Sequence, residues 1–288
     1  MKESMIRLRS SEGPQGNVLR EGNGEPLMLL HGVTGSAEMW RRVVPLLSPH
    51  HDVIAPTALG HRGGAPATVR PVRLEHLVDD AERVIDALGF GRVHLAGNSL
   101  GGWVAIELAR RGRALSVCAL SPAGAWTPQD QARAADKLRK VVALTRSTRP
   151  ILSLFAFSHL FRRLALRDSA AHGDRVSREE LLQLADDVIG CSVHEDLVCM
   201  EEVLGPVSVA CPIMLAWSER DKIFPVRVNG ERARQLAPRA QFKILAGVGH
   251  VPMLDDPRLV AETILESVAV ASDPEQVSEP AHLGSANG

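Results

Sequence analysis

The residue with the clearest chemical potential is Ser99, which lies in a Gly-x-Ser-x-Gly motif between two mostly apolar runs, 93–96 and 103–109. The first run is typical of a buried strand, and the second is rich in helix formers. Because Gly97 and Gly101 have no Cβ, we expect the strand and the helix to approach closely while Ser99 adopts a strained backbone angle. The pattern predicts a nucleophilic hydroxyl held at a helix N-terminus. The alternative is a glycine-rich turn that carries a surface serine.

A serine nucleophile needs a base, and His250 is the histidine that we favour. It follows the last predicted strand, 240–245, and should therefore lie at the same carboxyl edge of a parallel sheet as Ser99. A histidine can take the serine proton and return it to a leaving group. His61, in a glycine-rich loop at the same edge, is the rival candidate.

The group that would orient the base is Asp221, which follows the predicted strand 211–217. Its carboxylate would hold the imidazole tautomer and stabilise the imidazolium. Glu219 is the nearest competitor, and a loop cap for the following helix is the alternative role for Asp221. The chain order of serine, aspartate and histidine favours Asp221.

The donors for an oxyanion are predicted on two turns. An apolar run, 27–30, ends in a His-Gly turn, and the amide of Val33 in that loop would act with the amide of Leu100, the residue after the nucleophile. His31 is expected to pin this loop rather than carry a proton, and it is also a candidate substrate contact.

Composition excludes several classes of function. The chain has 288 residues, of which 45% are hydrophobic and 23% charged, with a net charge of −1. Without a basic block, a nucleic-acid surface is not expected. No window is long and apolar enough for a membrane span, and no secretory signal is visible, so we expect a cytoplasmic protein. The four cysteines form no CxxC pair, and neither a metal nor another cofactor is expected.

The elements that would position these residues alternate between strands and helices up to residue 124, which is typical of a parallel α/β sheet. An N-terminal hairpin, from 5–9 and 17–20, is expected at the sheet edge. The alternation then stops, and helices are predicted over 132–144, 151–166, 178–189 and 197–204. We therefore predict a core domain formed by residues 1–124 and 207–271, a helical cap or lid over 125–206, and a disordered tail over 272–288.

The predicted cap is where substrate contacts are expected, and it holds half of the six phenylalanines of the chain. Trp126 and Phe155 are candidate substrate contacts, and the aliphatic character of the segment favours an apolar acyl or ring-bearing substrate. The alternative is a peripheral helical bundle without a role in substrate binding.

Taken together, the motifs resemble those of the α/β-hydrolase superfamily, over nearly the whole chain from Met5 to Val270. The matching pieces are Leu30-His31-Gly32, Gly97-Asn98-Ser99-Leu100-Gly101-Gly102, Trp217-Ser218-Glu219-Arg220-Asp221 and Gly249-His250-Val251-Pro252. The resemblance implies an α/β fold with about eight mostly parallel strands, helices on both faces, and a helical cap between the sixth and seventh strands.

The turn Gly97-Asn98-Ser99-Leu100-Gly101-Gly102, which we call the elbow, and the segments Trp217–Asp221 and Phe224-Pro225 also resemble those of the hydrolases that cleave carbon–carbon bonds in ring-fission (meta-cleavage) diketones. Those enzymes usually carry a tryptophan where this chain has Val251, and the family often has an aspartate where this chain has Thr57. Asn98, Trp217 and Val251 are further candidate substrate contacts.

Two other branches of the superfamily fit the sequence less well. Epoxide hydrolases and haloalkane dehalogenases use an aspartate nucleophile, and the former use cap tyrosines. This chain has Ser99 at the elbow and no tyrosine. We take these two differences to exclude both branches.

The resemblance implies a cofactor-independent serine hydrolase that cleaves a carboxylic ester, lactone or thioester of a small, apolar molecule. The alternatives are carbon–carbon bond hydrolysis or acyl transfer by the same three residues, and a non-catalytic binding protein with this fold. The sequence determines neither the substrate nor the oligomeric state.

Overall fold

The computed structural model describes residues 7–8 and 17–272, in which eight strands form one sheet in the order β1-β2-β4-β3-β5-β6-β7-β8. β3 to β8 are parallel, whereas β1 and β2 form an antiparallel edge. The predicted mostly parallel α/β sheet is confirmed. The strands are β1 (Arg7–Leu8), β2 (Val18–Glu21), β3 (Pro26–Leu30), β4 (Asp52–Pro56), β5 (Val93–Asn98), β6 (Ala114–Leu120), β7 (Ile213–Ser218) and β8 (Gln241–Leu245).

Helices cover both faces of this sheet. Two short 3₁₀ helices lie at Ala37–Trp40 and Gly173–Arg175, and a π-helical turn, Val226–Gly230, leads into α8. The α-helices are α1 (Val44–Leu47), α2 (Leu74–Ala87), α3 (Leu100–Arg110), α4 (Pro128–Phe155), α5 (His159–Ala165), α6 (Arg178–Gly190), α7 (His194–Val198), α8 (Glu231–Leu236), α9 (Pro252–Asp255) and α10 (Pro257–Ser272).

The central strands are buried on both faces, which explains their continuous apolar sequences. One cluster of buried side chains packs the sheet against α2 and α3 through residues such as Ile85 and Trp103. The other packs it against α1 and α10 through residues such as Leu47 and Ile264. Removing this apolar surface from water is the main force that holds the layers together.

The parallel register brings the candidate residues to one edge. β3, β5, β7 and β8 end at Leu30, Asn98, Ser218 and Leu245, and neighbouring strands pair up to these ends. The loops that follow them carry His31, Ser99, Asp221 and His250 in that order. All four loops therefore open on the carboxyl edge, where parallel sheets place their sites.

The segment between β6 and β7 contains four α-helices, α4 to α7, and no strand. α4 is a single helix from Pro128 to Phe155, although two helices separated before Ile151 were predicted. Pro150 lies inside this helix and cannot donate to the carbonyl of Arg146, but both residues are exposed, so solvent can bond to that carbonyl. The predicted helix over 151–166 is divided, because Ala156 to Ser158 separate α4 from α5.

The predicted helix over 197–204 is wrong beyond Val198, where α7 ends. The chain is irregular from Met200, and the amide of Leu204 donates to the carbonyl of Gly124 rather than to the carbonyl of Met200, as it would in a helix. This extended path lets Met200 and Leu204 reach the core beside α3. Burial in the core therefore overrides local helix propensity here.

The two ends of the chain lie partly outside the described residues. β1 pairs antiparallel with β2 at Arg7–Leu8, as the predicted edge hairpin requires. Residues 1–6, 9–16 and 273–288, which include most of the predicted tail, are not described. None of the helices described is long and apolar enough to cross a membrane.

Candidate active site

Ser99 occupies a strained turn between β5 and α3. Its φ is 55° and its ψ is −116°, in a region that residues with a side chain rarely adopt. A Cβ at Gly97 would lie 2.2 Å from the carbonyl oxygen of Gly101, and one at Gly101 would lie 2.2 Å from that of Leu30. Only glycine fits at these two positions, which allows α3 to start directly above the strand ends. Ser99 is thereby held at a helix N-terminus.

His250 and Asp221 form a buried pair at the same edge. His250 Nδ1 lies 2.7 Å from Asp221 Oδ2, and the Asp221 side chain has no exposed surface. The other oxygen, Asp221 Oδ1, accepts hydrogen bonds from the amides of Ile223 and Phe224 at 2.8 and 2.7 Å. The carboxylate is thus fixed from both sides, so His250 Nδ1 carries the proton and Nε2 keeps its lone pair.

Asn98 ties the His250 loop to the elbow. Its side-chain amide donates to the carbonyl oxygen of His250 at 2.9 Å and to that of Leu120 at 3.2 Å. Asn98 directly precedes Ser99, so these bonds hold the backbone of the histidine beside the serine turn. Asn98 is buried and its Oδ1 has no partner among residues 17–272. His250 Nδ1 bonds to Asp221, and no hydrogen bond joins Ser99 Oγ to His250 within the described chain. Catalytic hydrogen bonds of this kind often tighten only in the complex with substrate.

The two rival candidates are placed elsewhere. Glu219 accepts a hydrogen bond from the amide of Gly247 at 2.7 Å on the exposed surface, and it does not reach His250. His61 is buried against His31, with ring centroids 4.9 Å apart. Burial lowers the pKa of His61 to about 4. The structure therefore brings Asp221, and not Glu219, to His250, and it keeps His61 as a neutral buried ring.

The loop after β3 presents its amides next to Ser99. A Cβ on Gly32 would lie 3.3 Å from Ser99 Cβ, and Thr34 has a φ of 60°. Among the described residues, the amides of Val33 and Leu100 donate to no protein acceptor. Two free amides beside a serine are the requirement for an oxyanion hole.

His31 holds this loop through both ring nitrogens. Nδ1 lies 2.8 Å from the carbonyl oxygen of Gly32, and Nε2 accepts from the amide of Ala58 at 3.0 Å. Burial, with a smaller contribution from neighbouring His61, lowers the pKa of His31 to about 3. The ring is neutral, and it links the loop after β3 to the loop after β4.

Aromatic rings form a continuous row behind His250. Phe224 meets the His250 ring edge-to-face at 5.0 Å, and Trp126 lies 5.5 Å from Phe224. Trp103 contacts Trp126 edge-to-face at 5.6 Å. Trp126 is buried, and its indole N–H has no partner within residues 17–272. The predicted contact Trp126 is thus one ring away from the imidazole.

Three other predicted contacts have different surroundings. Trp217 is fully buried and donates to the carbonyl of Phe224 at 2.8 Å, so it supports the Asp221 loop and offers no surface to a ligand. Phe155 is half-exposed at the end of α4 and contacts Phe161. Val251 is buried, and its amide bonds to the carbonyl of Ser169.

A residue that sequence reasoning missed, Asp255, joins the His250 loop to the helical segment. Its carboxylate accepts from the amides of Gly249 at 2.7 Å, Ala171 at 2.9 Å and His172 at 2.6 Å. Asp255 is 2% exposed. One buried carboxylate thus holds the residue before His250 against the segment that follows α5.

A second missed residue, Asp187 of α6, joins the helical segment to the loop after β3. Ser36 Oγ donates to its Oδ2 at 2.7 Å, while Arg62 and Gln183 donate to its Oδ1 at 3.1 and 2.9 Å. Burial raises the pKa of Asp187, against the opposing effect of these donors. Neither acid carries a local sequence signal, because the partners that satisfy it come from distant parts of the chain.

We looked for clusters of metal-binding side chains among the described residues. In the part of the chain that the structure describes, no group of three or more His, Cys, Asp or Glu side chains could hold a metal ion. The arrangement can instead support nucleophilic attack by a serine, assisted by a histidine and two backbone amides.

Comparison with known proteins places this geometry in a family. Residues 27–263 match the model described as alpha/beta hydrolase family. The chain is 35% identical over 203 residues to the epoxide hydrolase EphH of Mycobacterium tuberculosis, covering 65% of this chain and 91% of that protein. It is 37% identical over 94 residues to the (E)-2-((N-methylformamido)methylene)succinate hydrolase of Acinetobacter baylyi, covering 33% and 35%.

A solved structure agrees with the fold. The chain resembles a thermophilic esterase from Thermogutta terrifontis with a TM-score of 0.68 and 20% identity, covering 94% of this chain and 100% of that one. At this identity the likeness speaks for the fold alone.

Proposed function

Since the chain belongs to the alpha/beta hydrolase family, we propose that it is a serine hydrolase that cleaves a carboxylic ester, lactone or thioester. The observation that carries this proposal is the buried contact of 2.7 Å between His250 Nδ1 and Asp221 Oδ2, in a loop that Asn98 fastens to the Ser99 turn. An Asp–His pair beside a strained serine is the arrangement that activates a serine hydroxyl.

In the proposed reaction, Ser99 Oγ attacks the carbonyl carbon while its proton passes to His250 Nε2. The imidazolium is stabilised by Asp221, and the carbonyl oxygen, now negative, accepts hydrogen bonds from the amides of Val33 and Leu100. Collapse of this intermediate breaks the bond to the leaving alcohol or thiol, which takes the proton from His250. In the second half of the reaction, water attacks the acyl-Ser99 ester while His250 Nε2 takes its proton. Collapse of this second intermediate releases the acid, and Ser99 Oγ takes the proton back from His250.

The substrate is proposed to be small and apolar, with residues 125–206 acting as the cap. Support comes from the row of Trp126 and Phe224 beside His250, and from the two buried acids that attach this segment to the loops of the site. We expect kcat/KM to rise from acetyl to hexanoyl esters of one alcohol. Preference for the acetyl ester would contradict the apolar acyl site.

Epoxide opening, which the sequence alone was taken to exclude, returns as the second candidate because the relative EphH is named an epoxide hydrolase. In that reaction the nucleophile attacks a carbon of the epoxide ring, which carries no carbonyl oxygen, and an acid protonates the ring oxygen. Here the nucleophile position holds serine, and the chain contains no tyrosine to act as that acid. Carbon–carbon hydrolysis and acyl transfer would use the ester machinery unchanged. Turnover of an aryl epoxide, a ring-fission diketone and an ester, with and without an added alcohol acceptor, separates the four.

The direct test is labelling by a fluorophosphonate probe, which reacts with activated serines. The wild-type chain should be labelled, and mass spectrometry of its peptides should find the adduct on Ser99. Ser99→Ala should lose the label, whereas Ser147→Ala, which alters an exposed serine of α4, should keep it. A folded wild-type chain that takes no label would favour the non-catalytic binding protein.

A further inference from the structure

The outer side of the segment from α4 to α5 is unusually apolar. The described chain has twelve exposed large hydrophobic side chains, and eight of them lie between Val141 and Leu164. We define the outer apolar face as the six of these that are at least half exposed, with exposed fractions of 50% to 68%: Leu144, Ile151, Leu154, Phe157, Leu160 and Leu164. Such a concentration of exposed apolar side chains in one segment marks an interaction site more often than single, scattered exposed side chains do.

The fold does not need this face for its own packing. On α4, the members Leu144, Ile151 and Leu154 are separated by seven and three residues, which places them on one side of the helix. The side that packs inward is different and contains Ala135, Val142 and Leu152. α4 is also tied to α6 by the ion pair of Arg149 with Asp186. The packing of α4 against the rest of the protein therefore does not use the outer apolar face.

Charge gives this region a second distinguishing property. The chain as a whole has 33 basic and 34 acidic residues, whereas residues 128–167 contain nine Lys and Arg and two Asp. Both of those aspartates, Asp130 and Asp136, face arginines one turn away. Among the described residues, four exposed cations of this segment have no ion-pair partner: Lys140, Arg146, Arg163 and Arg167. The segment that carries the outer apolar face thus also carries an excess of unpaired positive charge.

We propose that α4 and α5 dock the protein onto an anionic lipid surface. Helices that lie in a membrane interface combine apolar side chains, which enter the boundary of the acyl chains, with Lys and Arg that remain among the anionic headgroups. The outer apolar face and its unpaired cations meet both requirements. Neither helix spans the bilayer, so the attachment is peripheral and reversible.

A second copy of the chain is the competing occupant, and charge disfavours it. In a two-fold dimer the same patch meets itself, so each excess of positive charge would face an identical one. An anionic lipid surface supplies the opposite charge instead. Docking does not depend on the reaction at Ser99, so a failure of the proposed function leaves this proposal standing, and the reverse also holds.

The test is flotation of the full chain with vesicles of equal parts phosphatidylglycerol and phosphatidylcholine, compared with phosphatidylcholine alone, at low and high salt. The wild-type chain should float with the anionic vesicles at low salt and dissociate as salt screens the charges. Phe157→Ser with Leu160→Ser should weaken partitioning by about tenfold. Lys140→Glu with Arg163→Glu should weaken it by about a hundredfold.

Matched controls separate docking from a loss of fold. Val69→Ser with Val228→Ser removes exposed apolar side chains elsewhere, and Arg92→Glu with Arg239→Glu reverses exposed cations elsewhere. Both pairs should bind like the wild-type chain, and the thermal unfolding of all variants should be similar. No flotation of the wild-type chain, or equal flotation of all variants, overturns the proposal. A concentration-dependent dimer that Phe157→Ser with Leu160→Ser makes monomeric overturns it in favour of a second copy.

Discussion

The helical segment is attached to the site at two places, and the two attachments are built differently. We call the first attachment the base join, because it holds the loop of the proposed base His250. There the Asp255 carboxylate accepts from three backbone amides, those of Gly249, Ala171 and His172. We call the second the oxyanion join, because it holds the loop of the proposed oxyanion donor Val33. There the Asp187 carboxylate accepts from three side chains, those of Ser36, Arg62 and Gln183. Both acids are buried, with exposed fractions of 2% and 1%.

The difference is one of adaptability. Backbone amides cannot turn away when their acceptor is removed, so the base join has a single good arrangement. Side chains can change rotamer, and Arg62 is 44% exposed, so the donors of the oxyanion join can turn towards water. We infer that the base join fixes the position of His250 firmly, while the oxyanion join allows the helical segment some movement over the loop of Val33.

Acid should act on the oxyanion side first, and this is the largest effect that we expect. Burial lowers the pKa of His31 to about 3 and of His61 to about 4, from 6.5 in the unfolded chain. At pH values between the folded and the unfolded pKa, the unfolded state binds more protons than the folded state. The contribution of these two histidines to stability is therefore fully present above pH 6.5 and is lost as the pH falls. The free energy of unfolding should drop by roughly 4 kcal/mol between pH 7.5 and pH 5.

Urea unfolding at several pH values measures this loss, and His61→Asn should reduce it by about half. His50→Asn, at an exposed histidine, should leave it unchanged. Hydrogen exchange at pH 5 should open residues 31–36 before residues 249–255. Simultaneous opening of the two loops would break the comparison.

The next effect is that of Asp255→Ala, which leaves three buried amides without an acceptor. We expect a loss of roughly 3 kcal/mol in the free energy of unfolding and a fall in kcat, because Gly249 precedes His250. Chemical denaturation and ester turnover measure the two. The control Asp256→Ala removes the acid that caps α10 at the amide of Leu259 and should cost about 1 kcal/mol with no change in kcat. Equal losses in the two variants would argue against the base join.

Asp187→Ala should have a smaller effect, because its donors can be solvated. A loss of roughly 2 kcal/mol is expected, with a moderate fall in kcat through Ser36 and the loop it holds. Its neighbour Asp186 makes a partly exposed ion pair with Arg149, and Asp186→Ala should cost less than about 1 kcal/mol. If Asp187→Ala proved as damaging as Asp255→Ala, the two joins would be equivalent.

The smallest effect is that of Asp187→Asn, which keeps the shape of the side chain. Burial raises the pKa of Asp187, so the folded state holds the ionised form at a disadvantage above that pKa and gains stability as acid neutralises it. Stability at pH 7 should change by less than about 1 kcal/mol, and the balance should shift towards the wild-type chain as the pH falls. The ratio of the two urea midpoints at pH 7 and pH 4 measures this. A shift in the opposite direction would mean that the carboxylate is stabilised by its donors.

Much of the fold could be predicted because buried parallel strands are continuous apolar runs. Runs such as 27–30 and 93–96 therefore stand out in the sequence, and the turns that end them carry Ser99, Asp221 and His250 at one edge. The elbow could also be predicted from the sequence, because glycine stands at 97 and 101, the two positions where the close approach leaves no room for a Cβ.

The rest depends on contacts between distant parts of the chain. Asp187 is satisfied by Ser36 and Arg62, and Asp255 by amides some eighty residues earlier. No local pattern distinguishes such acids from solvated ones. The helical segment was predicted least well, because α4 runs through Pro150 and the chain beyond Val198 gives up helix to reach the core.

The central claim is that Ser99 forms a covalent acyl intermediate. The most direct measurement mixes the protein with an excess of a p-nitrophenyl ester, quenches it in acid within the first turnovers, and locates any added acyl mass by peptide mass spectrometry. We predict one acyl group, on Ser99, together with a burst of nitrophenolate, and neither in Ser99→Ala. Ester turnover that persists in Ser99→Ala, or an acyl group on another residue, would contradict the account.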